Sequence, residues 1–180
     1  MRYLIISDIH GSSYYLKKVL NYFETLKCDK ILILGDILYH GPRNDLPKEY
    51  NPKEVIKLLN PLKNKIIAVK GNCDAEVDSM VLNFPILDLA LVNDNFNMYM
   101  THGHHFNPDN KLNVESGSVV LYGHTHIHKI DNVDGVTYLN PGSISLAKGD
   151  LINSFAIKED NKITIYDLNM NIIMEYIHDW

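Results

Sequence analysis

The sequence predicts an α/β fold in which two sheets pack face to face with helices outside them, giving a four-layer sandwich. Over residues 1–70, strand-like apolar runs alternate with helix-like spacing, which is typical of a parallel sheet with crossover helices. Beyond residue 95, short strand-like runs follow each other closely, which favours a second, more antiparallel sheet. Because 46% of the 180 residues are hydrophobic, we expect one domain over residues 1–180.

Three strands are predicted in the first half of the chain, at residues 2–7, 30–34 and 65–69. A helix follows the first strand, because apolar residues over 16–26 keep helical spacing. Ser12 or Ser13 can cap the start of this helix with a side-chain oxygen.

A second helix is predicted to begin at Pro52, since proline is favoured in the first helical turn, and to run to about Leu59. Residues 36–51 contain Gly41-Pro42 and Pro47 and form a predicted loop. A long loop after a strand end is a common place for functional residues.

The second half of the chain contains six short predicted strands. They lie near residues 96–101, 118–122, 136–139, 153–158, 162–168 and 172–177. Asp160-Asn161 separates two of them and is typical of a hairpin turn. The last apolar run, residues 172–180, is predicted either to pack in the core or to form the interface of a homo-oligomer.

Side chains that can bind metal ions follow five of the predicted strands. They are Asp8, His10, Asp36, Asn72, His102, His104, His124 and His126. In an open α/β sheet, ligand sites gather outside the carboxyl ends of the strands, so these side chains are expected to meet. Two carboxylates, one carboxamide and at least four imidazoles exceed the needs of one ion, which predicts a binuclear metal centre.

Each of these motifs alone has an ordinary structural explanation. Asp8 could cap the following helix, and Asp36 or Asn72 could be turn residues after glycine. The histidines could form a surface patch, although six of the nine fall within residues 102–128. Oxygen and imidazole donors without thiolates suit Mn²⁺, Fe, Co²⁺, Ni²⁺ or Zn²⁺ rather than a closed structural zinc site.

The charge and cysteine content exclude several classes of protein. A net charge of −5 without a Lys/Arg cluster argues against a nucleic-acid polymer as partner. Two dications against Asp8 and Asp36 would leave about +2, which favours an anionic substrate. Two cysteines are too few for a disulfide framework, and neither a signal peptide nor a membrane span is recognisable, so we expect a cytoplasmic protein without a membrane partner.

Taken together, the motifs resemble those of the calcineurin-like metallophosphoesterases, and most of all the YfcE-like phosphodiesterase subfamily. The resemblance covers nearly the whole chain. It is carried by Ser7-Asp-Ile-His-Gly-Ser12, Gly35-Asp36, His40-Gly-Pro-Arg-Asn44, Gly71-Asn-Cys-Asp-Ala-Glu-Val-Asp78, His102-Gly-His104, Gly123-His-Thr-His126 and Asn140-Pro-Gly-Ser143. It implies a sandwich of two mixed sheets flanked by helices.

The resemblance also implies a ligand set and a reaction. Asp8, His10 and His126 would hold one metal ion, and Asn72, His102 and His124 a second. Asp36 would bridge the two ions, for which Mn²⁺ is the usual choice. The implied activity is hydrolysis of a small phosphodiester by in-line attack of a metal-bridging hydroxide, with Asp36 and Asn72 among the catalytic residues.

The source of a proton for the leaving group stays open at this point. Many relatives have a histidine where this chain has Cys73, so Cys73 and His104 are alternative acids, and either could instead be a packing or positioning residue. Arg43 could stabilise the phosphoryl oxygens or face solvent. Asp74 could orient a ligand or form a turn, and His128 is expected at the surface.

Three other functions are compatible with the sequence. A phosphomonoesterase or a dinucleotide polyphosphate hydrolase would use the same donors. A non-catalytic scaffold resembling the retromer subunit of this fold is a second alternative, although all seven ligand positions here carry competent donors. A metal-storage or metal-sensing module is the third.

Overall fold

The computed structural model describes residues 1–179, and the elements named here belong to that part of the chain. The strands are β1 (Arg2–Ile6), β2 (Lys30–Ile33), β3 (Ile66–Val69), β4 (Ile86–Leu87), β5 (Ala90–Asp94), β6 (Phe96–Met100), β7 (Val119–Leu121), β8 (His128–Val133), β9 (Val136–Pro141), β10 (Ser154–Glu159), β11 (Lys162–Asp167) and β12 (Ile172–Ile177). The helices are α1 (Ser13–Thr25), α2 (Pro52–Leu59) and the single turn α3 (Asp78–Val81), with a 3₁₀ helix at Asn60–Lys65.

The larger sheet has seven strands in the order β12-β11-β10-β1-β2-β3-β4. Its β1, β2, β3 and β4 are parallel neighbours, as the alternation of strands and helices predicts. The strands β10, β11 and β12 continue this sheet in antiparallel pairing, with Ile157 opposite Leu4. We expected these closely spaced strands in the second sheet, but β10 pairs directly with β1.

The smaller sheet has five strands in the order β5-β6-β7-β9-β8. Its three central strands are parallel, and its two edge strands are antiparallel to their neighbours. The two edge strands were not predicted, because apolar and polar residues alternate poorly along them. The apolar Leu91 in β5 is exposed, and β8 carries mostly polar residues.

The predicted helix boundaries are confirmed. Ser12 caps α1 by accepting a hydrogen bond from the backbone of Tyr15, at 3.4 Å. Asn51 caps α2 in the same way through Glu54, at 3.1 Å, with Pro52 in the first turn. In the described part of the chain, residues 36–51 carry only an isolated bridge, so the predicted loop is also confirmed.

Three apolar layers hold the sandwich together. The first lies between the helices and the larger sheet and contains Phe23 and Val55. The second lies between the two sheets and contains Leu34 and Met100. The third covers the outer face of the smaller sheet, where residues 102–118 pack without forming a helix. The predicted α/β sandwich is confirmed, with irregular chain as this outer layer.

The C-terminal strand β12 lies at the edge of the larger sheet. Ile173 and Tyr176 pack against the layer between the sheets, whereas Ile172 and Ile177 are exposed. Trp180, the last residue of the predicted apolar run, lies outside the described residues. Among residues 1–179, every helix is too short or too polar to cross a membrane.

Candidate metal centre

The five predicted ligand clusters converge at the ends of β1, β2, β3, β6 and β7. Their backbone conformation is unusual, because several non-glycine residues have a positive φ. These are Asp8 (53°), His10 (48°), Asp36 (55°), His124 (69°) and His126 (60°). Such strained conformations cost free energy and persist only where surrounding contacts enforce them, which is common at functional sites.

The first cluster reaches the site by a turn rather than by a continuing strand. We expected Asp8 and His10 to point the same way along β1, but β1 ends at Ile6. The backbone of Asp8 instead donates a hydrogen bond to Gly35 at 3.1 Å, and that of His10 to Asp36 at 2.9 Å. These bonds join the ends of β1 and β2, so both side chains enter one site.

One carboxylate oxygen of Asp8 is buried and has no hydrogen-bond partner among residues 1–179. The other oxygen, Oδ2, accepts hydrogen bonds from Ser7 Oγ at 2.6 Å and from the backbone of His124 at 3.1 Å. Oδ1 lies 3.6 Å from His10 Nε2 and 3.3 Å from His126 Nε2. Because buried polar atoms are normally satisfied, an orphaned oxygen facing two imidazoles fits a cation site.

Three histidine rings are oriented by backbone carbonyl groups. The pairs are His10 Nδ1 with Tyr39 O at 2.8 Å, His102 Nδ1 with Leu34 O at 2.6 Å, and His126 Nδ1 with Leu146 O at 2.6 Å. Each ring therefore donates Nδ1–H outwards and directs its Nε2 into the site, as metal-binding histidines do. His10 Nε2 and His126 Nε2 are 3.1 Å apart, so a proton or a cation must separate their lone pairs.

Asp36 lies between two groups of donors. Its Oδ1 accepts a hydrogen bond from the backbone of Cys73 at 2.8 Å. Its Oδ2 lies 3.3 Å from His102 Nε2 and 3.6 Å from His10 Nε2. One carboxylate oxygen thus faces a histidine of each predicted group, which is the arrangement required of a bridging ligand.

Asn72 completes the second group. Its Oδ1 lies 2.7 Å from His124 Nδ1 and 3.1 Å from His102 Nε2. The first group, formed by Asp8, His10 and His126, keeps its donor atoms within 4.8 Å of one another. The structure therefore brings all seven predicted ligands together, in the two predicted groups.

Asp74 supports the site through the backbone. Its carboxylate accepts hydrogen bonds from the backbone of Asp36 at 2.8 Å, Ile37 at 2.7 Å and Gly71 at 2.7 Å. The Asp74 carboxylate therefore holds the turns around Asp36 and Gly71 and does not orient a ligand side chain. A Cβ on Gly71 would overlap the Asp36 carboxylate, which explains why a glycine precedes Asn72.

Two serines and an asparagine that received no role from the sequence hold the turns of the site. Ser143 Oγ donates to the carbonyl of Asp8 at 2.8 Å, and Ser145 Oγ lies 3.0 Å from the same atom. Asn140 Nδ2 donates to the carbonyl of Gly123 at 2.8 Å. Asn140 and Ser143 belong to a motif that is visible in the sequence. Their role could not be predicted, because it depends on long-range contacts that the sequence does not show.

Buried carboxylates and imidazoles set the electrostatics of the centre. Burial raises the pKa of Asp8, but the nearby imidazoles of His10 and His126 outweigh it and hold this pKa well below its usual value. The pKa of Asp36 is also lowered, because His102 outweighs burial. Burial lowers the pKa of His102, but the Asp36 carboxylate raises it to about 9. The site therefore holds protons that a metal ion would displace.

The two candidate acids differ in protonation. Burial, together with His102, lowers the pKa of His104 to about 4, so this ring is neutral near pH 7. Its buried Nδ1 has no hydrogen-bond partner in the described part of the chain. Burial and the Asp36 carboxylate raise the pKa of Cys73 to about 12, so the thiol is protonated.

Two cavities open on the centre and share Asn72 and Asp74. The first has a volume of about 870 Å³ and is also lined by Asp36, Tyr39, Arg43, Cys73, His124, His126 and Lys148. The second, of about 730 Å³, is lined by His104 and His105 with Lys70, Asp88, Leu89 and Phe106. The prediction that His128 lies at the surface is wrong. It is buried in β8, with Nε2 3.1 Å from Asp150.

Comparison with known proteins identifies similar sequences. Residues 1–162 match the family model described as the calcineurin-like phosphoesterase superfamily domain. The chain is 37% identical over 179 residues to phosphodiesterase YfcE of Escherichia coli K12, covering 98% of this chain and 97% of that protein.

Solved structures show the same fold. The structure of the Escherichia coli phosphoesterase YfcE matches with a TM-score of 0.96 and 37% identity, over 99% of this chain and all of that one. Vps29 of Entamoeba histolytica, solved with Zn²⁺, matches with a TM-score of 0.67 over 99% of this chain and 100% of that one. Its identity is 22%, so it shows the fold alone.

Proposed function

The chain belongs to the calcineurin-like phosphoesterase superfamily, and from this we propose that it is a phosphodiesterase that uses a binuclear metal centre on a small phosphodiester. One observation carries the proposal: Asp36 Oδ2 lies within 3.6 Å of an imidazole nitrogen of each donor group. The similarity to phosphodiesterase YfcE supports the choice of a diester as substrate.

The residues present fit two divalent ions. Asp8, His10 and His126 would hold one ion, and Asn72, His102 and His124 the other, with Asp36 shared. The donors are carboxylate, carboxamide and imidazole, which suit Mn²⁺, our choice among the possible ions. Bound dications would activate water for in-line attack and neutralise the phosphoryl oxygens.

Side chains at and beside this centre would affect its charge, the binding of substrate and the protonation of the leaving group. Asn72 is a neutral donor, so the second group carries less negative charge than the first. Arg43 lines the first cavity, where its guanidinium can pair with an anionic group of the substrate. Cys73 lines the same cavity, beside Asp36 and His124, whereas His104 lines the second cavity. We assign Cys73, from this position, as the donor of a proton to a leaving group that departs into the first cavity.

Hydrolysis of bis-p-nitrophenyl phosphate tests the proposal. The metal-free protein should be inactive, and Mn²⁺ should restore a rate that Asp36→Asn and His124→Ala abolish. Asp134→Asn is the matched control, since this carboxylate is exposed and pairs with Lys111. Full activity of both site variants would refute the proposal.

The same preparation separates the enzymatic alternatives. We expect faster hydrolysis of bis-p-nitrophenyl phosphate than of p-nitrophenyl phosphate, because both cavities flank the centre and can take two ester arms. A clear preference for the monoester would favour a phosphomonoesterase.

A further inference from the structure

Two positively charged side chains line the first cavity. Arg43 and Lys148 are both exposed and face the cavity that contains Asp36 and His124. Within residues 1–179, neither side chain forms an ion pair or a hydrogen bond. Both charges are therefore available to a ligand.

The backbone holds both residues at fixed places beside the centre. Arg43 lies in the turn His40 to Asn44, closed by a hydrogen bond from Asn44 Nδ2 to His40 O at 2.8 Å. This turn packs on the site, since a Cβ on Gly41 would lie 3.0 Å from Cys73 Sγ. Lys148 donates its backbone N–H to His126 O at 3.0 Å. Both cations are thus tied to residues of the centre itself.

The acidic residues of the first cavity do not neutralise these cations. Asp36 faces the imidazoles of the two donor groups, at 3.3 and 3.6 Å. Asp74 is buried and accepts three backbone hydrogen bonds. Beyond the metal ligands, the first cavity therefore presents an excess of positive charge.

The second cavity differs in character. Its one lysine, Lys70, is matched by Asp88, and its other carboxylate, Asp74, is buried and accepts backbone hydrogen bonds. Leu89 and Phe106 also line it and are 42% and 37% exposed. This wall favours an uncharged, partly apolar group.

We propose that the substrate is an asymmetric diester, one arm of which carries a second anionic group, a carboxylate or phosphate, that binds between Arg43 and Lys148. The uncharged arm extends past Asn72 towards Phe106. This inference rests on the proposed function, because it assumes that the diester phosphorus lies at the metal centre. Lys148 is then a specificity-determining residue that the sequence did not indicate.

Binding of two phosphonates tests the inference without catalysis. The ligands are butylphosphonate and phosphonobutyrate, the same chain ended by a carboxylate, and calorimetry measures their Kd for the Mn²⁺-loaded protein. Neither has a phosphoester bond, so turnover does not intervene. Because an exposed ion pair contributes modestly, we expect phosphonobutyrate to bind about fivefold more tightly at low salt, and less so at high salt.

Matched lysine variants locate the second anion. Lys148→Met should remove the preference for phosphonobutyrate while leaving butylphosphonate binding nearly unchanged. Lys70→Met, in the second cavity, and Lys63→Met, on the exposed 3₁₀ helix, should retain the preference, although each removes the same charge. Loss of the preference in Lys70→Met instead would place the anionic arm in the second cavity and overturn the inference.

The remaining outcomes separate this inference from the proposed function. Equal binding of the two phosphonates by an active phosphodiesterase refutes the anionic arm alone. An equal loss of affinity for both in Lys148→Met means that the lysine contacts the phosphoryl group, which also refutes it. Failure of both to bind, together with no hydrolysis of bis-p-nitrophenyl phosphate, refutes the proposed function and this inference with it.

Discussion

Replacing Asp36 by asparagine should change how the stability of the metal-free protein depends on pH. The Asp36 carboxylate lies 3.3 Å from His102 Nε2, and with Asp8 it raises the pKa of this buried ring from 6.5 to about 9. A folded-state pKa above the unfolded value stabilises the protein fully below pH 6.5, and the stabilisation is lost as pH rises through about 9.

The size of this effect follows from the shift. A rise from 6.5 to about 9 corresponds to roughly 3 kcal/mol of unfolding free energy. For a chain of this length, such a change moves Tm by roughly 6–12 °C. The pKa of His10 is also raised, because the Asp8 carboxylate outweighs burial, so it acts in the same direction.

Chemical and thermal unfolding in the presence of a chelator provide the assay. Between pH 6.5 and 9, the wild-type protein should lose about 3 kcal/mol, whereas Asp36→Asn should lose much less, because its His102 is already neutral near pH 7. Asp134→Asn should keep the wild-type slope, since its carboxylate is exposed and titrates well below this range. A wild-type stability that does not change over this range, or the same slope in Asp36→Asn, would refute the reasoning.

Three further predictions concern other parts of the molecule. Asp94→Asn should lower the unfolding free energy by about 3 kcal/mol, because it leaves the fully buried Lys158 ammonium without the counter-ion that lies 2.6 Å away in Asp94 Oδ2. Denaturant unfolding measures this. A loss below about 1 kcal/mol, which is the range of exposed ion pairs, contradicts it. Gly71→Ala should abolish tight Mn²⁺ binding and also lower the unfolding free energy, because the added methyl group overlaps both the carboxylate and the backbone nitrogen of Asp36. Calorimetric titration with Mn²⁺ and denaturant unfolding measure this, and unchanged affinity contradicts it. Cys73→Ala should slow hydrolysis of an alkyl ester about tenfold or more while sparing a nitrophenyl ester, whose leaving group needs no proton; equal rates for both esters would exclude the thiol as the acid.

The sequence predicts which side chains meet at the candidate metal centre, because each follows a recognisable strand. The apolar runs before Asp8, Asp36, Asn72, His102 and His124 end at one side of the sheets, so proximity follows from the direction of the strands. The helix boundaries at Ser12 and Pro52 are equally local, since capping and proline preferences act within one turn.

Long-range contacts are the part that could not be predicted. Asp74 binds the backbone of Asp36, 38 positions earlier, and Ser143 binds that of Asp8, 135 positions earlier. No periodic pattern connects such residues, because they meet only when strands distant in sequence pair. The sequence did not predict a role for Lys148 for the same reason. In the sequence it resembles any other lysine, and only the fold brings it to the cavity.

Edge strands were missed for a different reason. The alternation of apolar and polar residues that indicates a strand weakens when both faces are partly exposed, as in β8, or when the exposed face carries an apolar residue, as Leu91 does in β5. Whether β10 joins the first or the second sheet depends on its pairing with β1, which residue patterns do not specify. The order and spacing of the predicted strands thus indicate two sheets, but they do not assign every strand to one of the two.

Counting the metal ions held by the protein tests the binuclear centre most directly. Elemental analysis after loading with Mn²⁺ and removal of excess metal should give two ions per chain. His126→Ala, which removes a donor of the first group alone, should retain about one, held by Asn72, His102, His124 and the Asp36 carboxylate. Saturation of the wild-type chain by a single ion, or by none, would contradict the binuclear centre.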